Sequence, residues 1–293
     1  KAAASINAFG IDLYQRMLAD GLLEPTKGAV ISPTSIATAL AMARAGANGE
    51  TAAEMDAALH TAGWDELARG LNALSQALES RDATWAEYDG TVHKLALKMA
   101  NAAFAQRDWK IAQSYLDAIA ATFGSGLHLV DYIGDTEAAR KVINAWVSKK
   151  TEKRIPELLV EGVVEPDNRL WLVNAIYLKA NWALEFDKSE TKDLPFTRLD
   201  GSRAQVPTMS QQETIPYATG KGWKATQLQY MGGDSTRPLA MTLILPDDLA
   251  SFERKLTASV TSTSCAASTI VTSAIVWDGQ TVVLGGLISE DVL

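Results

Sequence analysis

At 293 residues, with 47% hydrophobic and 21% charged side chains, the chain has enough apolar material for a large soluble core and sits near the length at which single cores divide. Its net charge of −8 gives no prominent basic surface to neutralise phosphates, so a nucleic-acid partner is not expected. One cysteine, Cys265, excludes an internal disulfide, and no stretch of about 18 apolar residues suggests a membrane span. The chain begins at Lys1 with neither a methionine nor a signal peptide, which reads as a mature or trimmed product.

In chain order, Ser32-Pro33 opens a predicted helix, because proline suits a first turn. Ile36, Ala39, Leu40 and Ala43 then recur at helical spacing until Gly46. Thr51 and Glu54 read as a capping box ahead of an apolar face at Met55 and Leu59. Trp64, Leu67, Leu71, Leu74 and Leu78 define another amphipathic helix. The period drops to two at Leu95, Leu97 and Met99, which predicts a half-buried strand. Helical spacing returns at Ile111, Tyr115, Ile119 and Phe123, stopped by Gly124, and at Ala139, Ile143 and Trp146 after a start near Asp135. Residues 170–178 are apolar at both alternating sets of positions, which predicts an inner strand of the largest sheet, beside residues 95–99 and covered on both faces. Residues 226–230 and 239–245 read as two more strands, separated by Gly232-Gly233. Helices first and strands later indicate an α+β fold.

Composition changes near Leu256. From residue 257 to 293 there is no lysine or arginine, and serine and threonine dominate up to Ser273. Asp278-Gly279 between apolar runs predicts a β-hairpin over residues 269–288.

Several ordered segments resemble the serpin family. They are Ile31-Ser32-Pro33-Thr34-Ser35-Ile36, Ala39-Leu40-Ala41-Met42, Gly46-Ala47-Asn48-Gly49-Glu50-Thr51, Ala100-Asn101-Ala102-Ala103-Phe104-Ala105-Gln106 and Val130-Asp131. Ile143-Asn144-Ala145-Trp146-Val147 with Thr151 follows, then Leu172-Val173-Asn174-Ala175-Ile176-Tyr177-Leu178-Lys179-Ala180-Asn181-Trp182, Pro207-Thr208-Met209 and Leu243-Ile244-Leu245-Pro246-Asp247. The resemblance implies a serpin-like α+β fold, with N-terminal helices around a large central β-sheet plus a second smaller sheet. It covers residues 1–256 as a truncated, C-terminally incomplete domain. Residues 257–293 depart from it as an atypical tail, whose run from Val276 to Ile288 resembles a segment of outer-membrane secretins.

For function, the resemblance implies a serine-protease inhibitor with no catalytic residue of its own. A target serine or cysteine protease attacks an exposed reactive-centre loop and forms an acyl-enzyme. The loop then inserts into the main sheet as a new strand. Sheet-opening residues carried over from the family are Ser32 and Ser35 on the second helix, Asn174 on the third main-sheet strand and Trp182 at the loop-entry end. A helix cap, a first-turn residue, a satisfied core amide and ordinary packing explain the same four residues. The family's histidine partner for the serines and Asn174 is not found, and neither is the acidic hinge with an alanine-rich run that announces the reactive loop. The chain as given is therefore expected not to inhibit. The alternatives are a non-inhibitory serpin-fold binding or structural protein and a truncated or chimeric chain without activity. A monomer in a secreted or cell-surface setting is expected, with no cofactor and no metal. His60, His93 and His128 lack metal-site spacing, and Cys265 has no histidine nearby in sequence.

Overall fold

The computed structural model describes residues 2–23, 29–198, 201–232, 239–256, 270–273 and 285–288. The turn at Asp278-Gly279, Cys265 and residues 276–284 of the secretin-like run lie outside the described residues.

Helix α1 (Ala2–Ala19), absent from the periodicity reading, buries Ile6, Phe9 and Tyr14. It crosses α2 (Pro33–Arg44) where a Cβ on Gly10 would stand 2.7 Å from the Pro33 ring, so only glycine permits that approach. Ser32 caps α2 by accepting from the Ser35 amide. The buried face of α2 is Thr34, Ala37, Thr38, Ala41 and Met42, not the stripe at Ile36, Ala39, Leu40 and Ala43. Small residues on that face let α1 settle closely, and Ile36 is left at the surface.

Helix α3 (Gly49–Ala58) starts before Thr51, because the extended backbone that a cap requires is at Asn48 (φ −136°, ψ 164°). Thr51 and Glu54 therefore lie inside the helix and form no capping box. Helix α4 (Trp64–Glu79) buries Leu67, Leu71, Leu74 and Leu78, as the spacing predicts. Helix α5 (Gln113–Phe123) ends at Gly124 with a left-handed φ of 56°. Asp135 caps α6 (Thr136–Lys150) by accepting from the Ala138 amide. A short helix, α7 (Leu249–Arg254), follows Asp248.

One sheet holds β1 (Ala83–Ala86), β2 (Val92–Gln106), β3 (Gly126–Val130) and β4 (Leu170–Lys179). Strand β2 runs antiparallel to β4 from Ala96 opposite Lys179 to Ala105 opposite Leu170, and parallel to β3 over its last five residues. Both faces of β4 are covered. Leu170, Leu172, Ile176 and Leu178 meet the helical core, and Trp171 and Val173 meet a second core beneath α6. Its inner position is corrected, however: β4 pairs with β2 alone and lies at the edge of the described sheet. The open side explains why most of its apolar side chains are half-buried rather than sealed.

The second sheet has five strands in the order β11 (Gly285–Ile288), β10 (Ile270–Ser273), β9 (Leu239–Pro246), β8 (Trp223–Gln229) and β7 (Tyr217–Gly220). Strand β10 lies parallel to β9 and antiparallel to β11, with Ile270 opposite Ile288. Strands β5 (Lys192–Thr197) and β6 (Arg203–Thr208) form a separate two-stranded ribbon.

Candidate functional site

The site begins with what a strand offers when one side is unpaired. Strand β4 spends one row of its backbone amides and carbonyls on β2, and no strand among the described residues takes the other row. Such an edge is a template for an incoming extended segment. It leads directly into Ala180, Asn181 and Trp182.

Asn174 sits in the middle of β4, directly opposite Asn101. Its Nδ2 donates to Asn101 Oδ1 at 2.6 Å, while Asn101 Nδ2 donates to the Phe123 carbonyl at the end of α5 at 3.2 Å. The Asn174 Oδ1 is buried without a partner. A polar pair between two apolar strands, with one acceptor unspent, is a place where hydrogen bonds can be exchanged. Ser32 Oγ donates to Ser35 Oγ at 2.9 Å, and α2 packs on β4. Among the described residues no hydrogen bond joins the two serines to Asn174, so the structure shows two pairs rather than one network.

Beyond β4, the Trp182 ring stacks on Tyr230, with centroids 4.6 Å apart and planes 11° apart, and the two residues form an isolated bridge. The Asn181 carbonyl accepts from the Met231 amide. Trp182 thus fastens the exit of β4 to the end of β8. Burial pushes the Tyr230 hydroxyl up to about 12. A cavity of about 180 Å³ lies beside Trp182, lined by Phe186, Ile215, Pro216 and Gln211, whose Oε1 has no partner.

The other face of the sheet carries α6. Ala139, Ile143 and Val147 bury against Phe104 and Val173. The segment after α6 folds back and is clasped to it. Asn144 Oδ1 accepts from the Leu158 and Leu159 amides at 2.9 Å, and its Nδ2 donates to the Leu159 carbonyl. Arg140 donates to that carbonyl and pairs with Glu137 and Glu157. Hydrogen bonds from Arg140 hold the Glu137 carboxyl down at about 2.

Of the four residues carried over from the resemblance, three lie on β4 or its neighbouring elements and Trp182 lies just past the strand. Sequence reading missed Asn101, the partner of Asn174, and the Arg140–Asn144 clasp. The available signal for Asn101 was a lone amide in the apolar run Ala100-Asn101-Ala102. The histidines are dispersed: His60 pairs with Asp12, His93 stacks on Trp85 and His128 stacks on Phe104. Among the described residues no group of three or more potential metal ligands occurs.

The described residues thus set a helical body over a sheet whose β4 edge is unpaired. The chain belongs to the serpin (serine protease inhibitor) family, which it matches over residues 4–274. Bovine (Bos taurus) leukocyte elastase inhibitor is 34% identical over 249 residues, 84% of this chain and 61% of that protein. The chain therefore spans about three fifths of the length of this curated relative. Reaction-loop-cleaved lamprey angiotensinogen matches with a TM-score of 0.75 at 29% identity, covering 88% of this chain and 72% of that one. Emu (Dromaius novaehollandiae) ovalbumin matches with a TM-score of 0.79 over 91% of this chain and 69% of that one; at 22% identity this speaks to the fold alone. Among the described residues no helix is long and apolar enough to cross a membrane.

Proposed function

We propose that the protein is of the serine-protease-inhibitor class that works as a conformational trap, with β4 as the strand that receives an insert, and that this chain is not itself competent because no reactive-centre loop is identified in it. One observation carries the reading: β4 is paired along its length with β2 and is open along its other edge among the described residues. The family and the elastase-inhibitor relatives support it. Asn174 with Asn101, Ser32 with Ser35, and Trp182 with Tyr230 are the groups whose bonds change as a strand enters. The partner is a target protease of serine or cysteine type, and elastase-like enzymes are the first to try. The inhibitor acts as a monomer. Its secreted or cell-surface address is a further proposal that family resemblance alone supports.

The test has two arms. The chain is incubated with leukocyte elastase and with trypsin, and adducts that survive boiling in detergent are sought. No reactive loop is identified in the sequence, so none is expected, and a stoichiometric adduct would assign residues 257–273 as the loop. In the second arm, a synthetic alanine- and threonine-rich peptide is annealed to the chain. Capture at β4 is expected to raise the melting temperature and slow amide exchange at residues 170–179. A chain that leaves both unchanged refutes strand acceptance and favours a non-inhibitory serpin-fold binding protein.

A further inference from the structure

The turn from α2 into α3 holds a dipeptide that occurs once in the chain. Of the asparagines, Asn48 alone is followed by glycine. Alanine, arginine or tryptophan follows each of the others, and its side chain shields the amide between the two. Most of those other carboxamides are also held in place. Asn72, Asn101, Asn144 and Asn174 donate to carbonyl oxygens of other segments at 2.6–3.2 Å. Asn48 is exposed, and its Nδ2 reaches the Gly46 carbonyl at 3.4 Å.

The backbone there is open to reaction. Asn48 is the N-cap of α3, yet its side chain makes no capping hydrogen bond. Gly49 follows at a left-handed φ of 58°, and a Cβ on it would meet no atom within 4 Å. Its amide is the first of the helix, among those that a helix leaves without an internal partner. The positive end of the helix dipole eases negative charge forming at that nitrogen. Asp89-Gly90 is the contrast. There the Gly90 amide donates to the Glu87 carbonyl at 3.0 Å, and Asp89 Oδ1 accepts from the Thr91 amide at 2.8 Å.

We propose that Asn48-Gly49 is a site of spontaneous deamidation, which changes the start of α3 as the protein ages. Asparagine is among the thermally labile residues. The Gly49 amide gives its proton to solvent base, and its nitrogen attacks Asn48 Cγ. The new C–N bond closes a cyclic imide, and the side-chain nitrogen leaves as ammonia. Water then opens the ring. Addition at Cγ leaves an aspartate, and addition at the main-chain carbonyl carbon leaves an isoaspartate whose chain runs through Cγ. The net change is water in and ammonia out. An aspartate at this position sets a carboxylate against the positive end of α3. The iso form lengthens the main chain and takes from the Ala52 amide its acceptor, the Asn48 carbonyl. Ala52 is the buried residue of α3, so the first turn has little else to hold it.

The experiment ages the full chain in mildly alkaline buffer and digests it with trypsin, beside a free peptide of residues 45–69. Trypsin releases that segment whole, and it contains no other carboxamide side chain, so a mass gain in it reports Asn48. The segment is expected to convert in the folded chain at least as fast as in the free peptide, to a mixture of aspartate and isoaspartate. Asn48→Gln keeps the glycine but would need a larger ring, and it is expected to lose the conversion over the same period. Amide exchange over residues 49–58 is expected to quicken in the aged parent and to stay unchanged in the aged variant. The proposal is overturned if residues 45–69 keep their mass, or if the free peptide converts several-fold faster than the chain. It is equally overturned if Asn48→Gln converts like the parent, or if exchange in α3 does not change on ageing.

Discussion

Asn174 Nδ2 donates to Asn101 Oδ1 across the β2–β4 ladder at 2.6 Å, and the two residues are direct register partners. Replacing Asn174 with alanine removes its own unpartnered Oδ1 but leaves the Asn101 Oδ1 without its donor. A loss of about 1–3 kcal/mol is expected. Asn101→Ala also frees the Phe123 carbonyl and should cost at least as much. Because the two amides share one bond, the double variant should lose less than the sum of the single losses. Urea unfolding of the four proteins measures this, and strict additivity would show that the bond contributes nothing.

After α6 the chain turns through Glu152 and Lys153, both in the left-handed region with φ of 50° and 61°, and Lys153 tests that corner. A β-branched residue tolerates a left-handed φ worse than lysine does, and glycine tolerates it freely. Lys153→Gly is expected to be more stable than Lys153→Val by at least about 1 kcal/mol. Equal midpoints for the two variants in denaturant would mean that the left-handed turn is not populated.

Acid should loosen α6 through Glu137. Its folded carboxyl is held at about 2, below the ordinary value of 4.5, by hydrogen bonds from Arg140. A depressed carboxyl contributes stability above its unfolded value and loses it as pH falls through the folded value. The Glu137 contribution is thus complete above about pH 4.5 and fades towards pH 2. Melting temperature should therefore fall less in Glu137→Gln than in the parent across that window. Parallel curves would remove Glu137 from the acid response.

Tyr14 on α1 donates to the Glu253 carboxylate on α7 at 2.5 Å, and both residues are buried. Burial first, then the bond to Glu253, pushes the Tyr14 hydroxyl far above its ordinary value, so the donor stays protonated at any usable pH. Tyr14→Phe leaves the carboxylate without its hydroxyl donor and should cost about 1.5–3 kcal/mol. Adding Glu253→Leu should recover part of that loss. Amide exchange in residues 249–256 reads the effect locally, and no acceleration there would mean that α7 is held by something else.

Legibility in the sequence followed the range of the interaction involved. The spacing of Leu67, Leu71, Leu74 and Leu78 and the stop at Gly124 are local, and both appear as predicted. The pairing of residues 96–99 with β4 was readable because one run alternates and the other is apolar at both alternating sets of positions. The buried face of α2 was not, since Ala37 and Ala41 are chosen by their neighbours α1 and β4 rather than by hydrophobicity. The edge position of β4 was hidden for a similar reason: apolarity on both faces reports cover above and below, not a neighbour alongside. Of the site, Asn174 and Trp182 came from family resemblance, whereas Asn101 emerges as a partner only when strands far apart in sequence are laid side by side.

The clasp between α6 and residues 157–159 has a mechanical consequence. Asn144 and Arg140 grip the Leu159 carbonyl, and β4 begins at Leu170. Residues 160–169 therefore link the clasp to the strand whose edge is open. Ten residues reach about 33 Å when extended, several times the 4.8 Å width of one strand. A sideways step of β4 is thus taken up in this connection, and α6 keeps its grip on Leu159 while the strand moves.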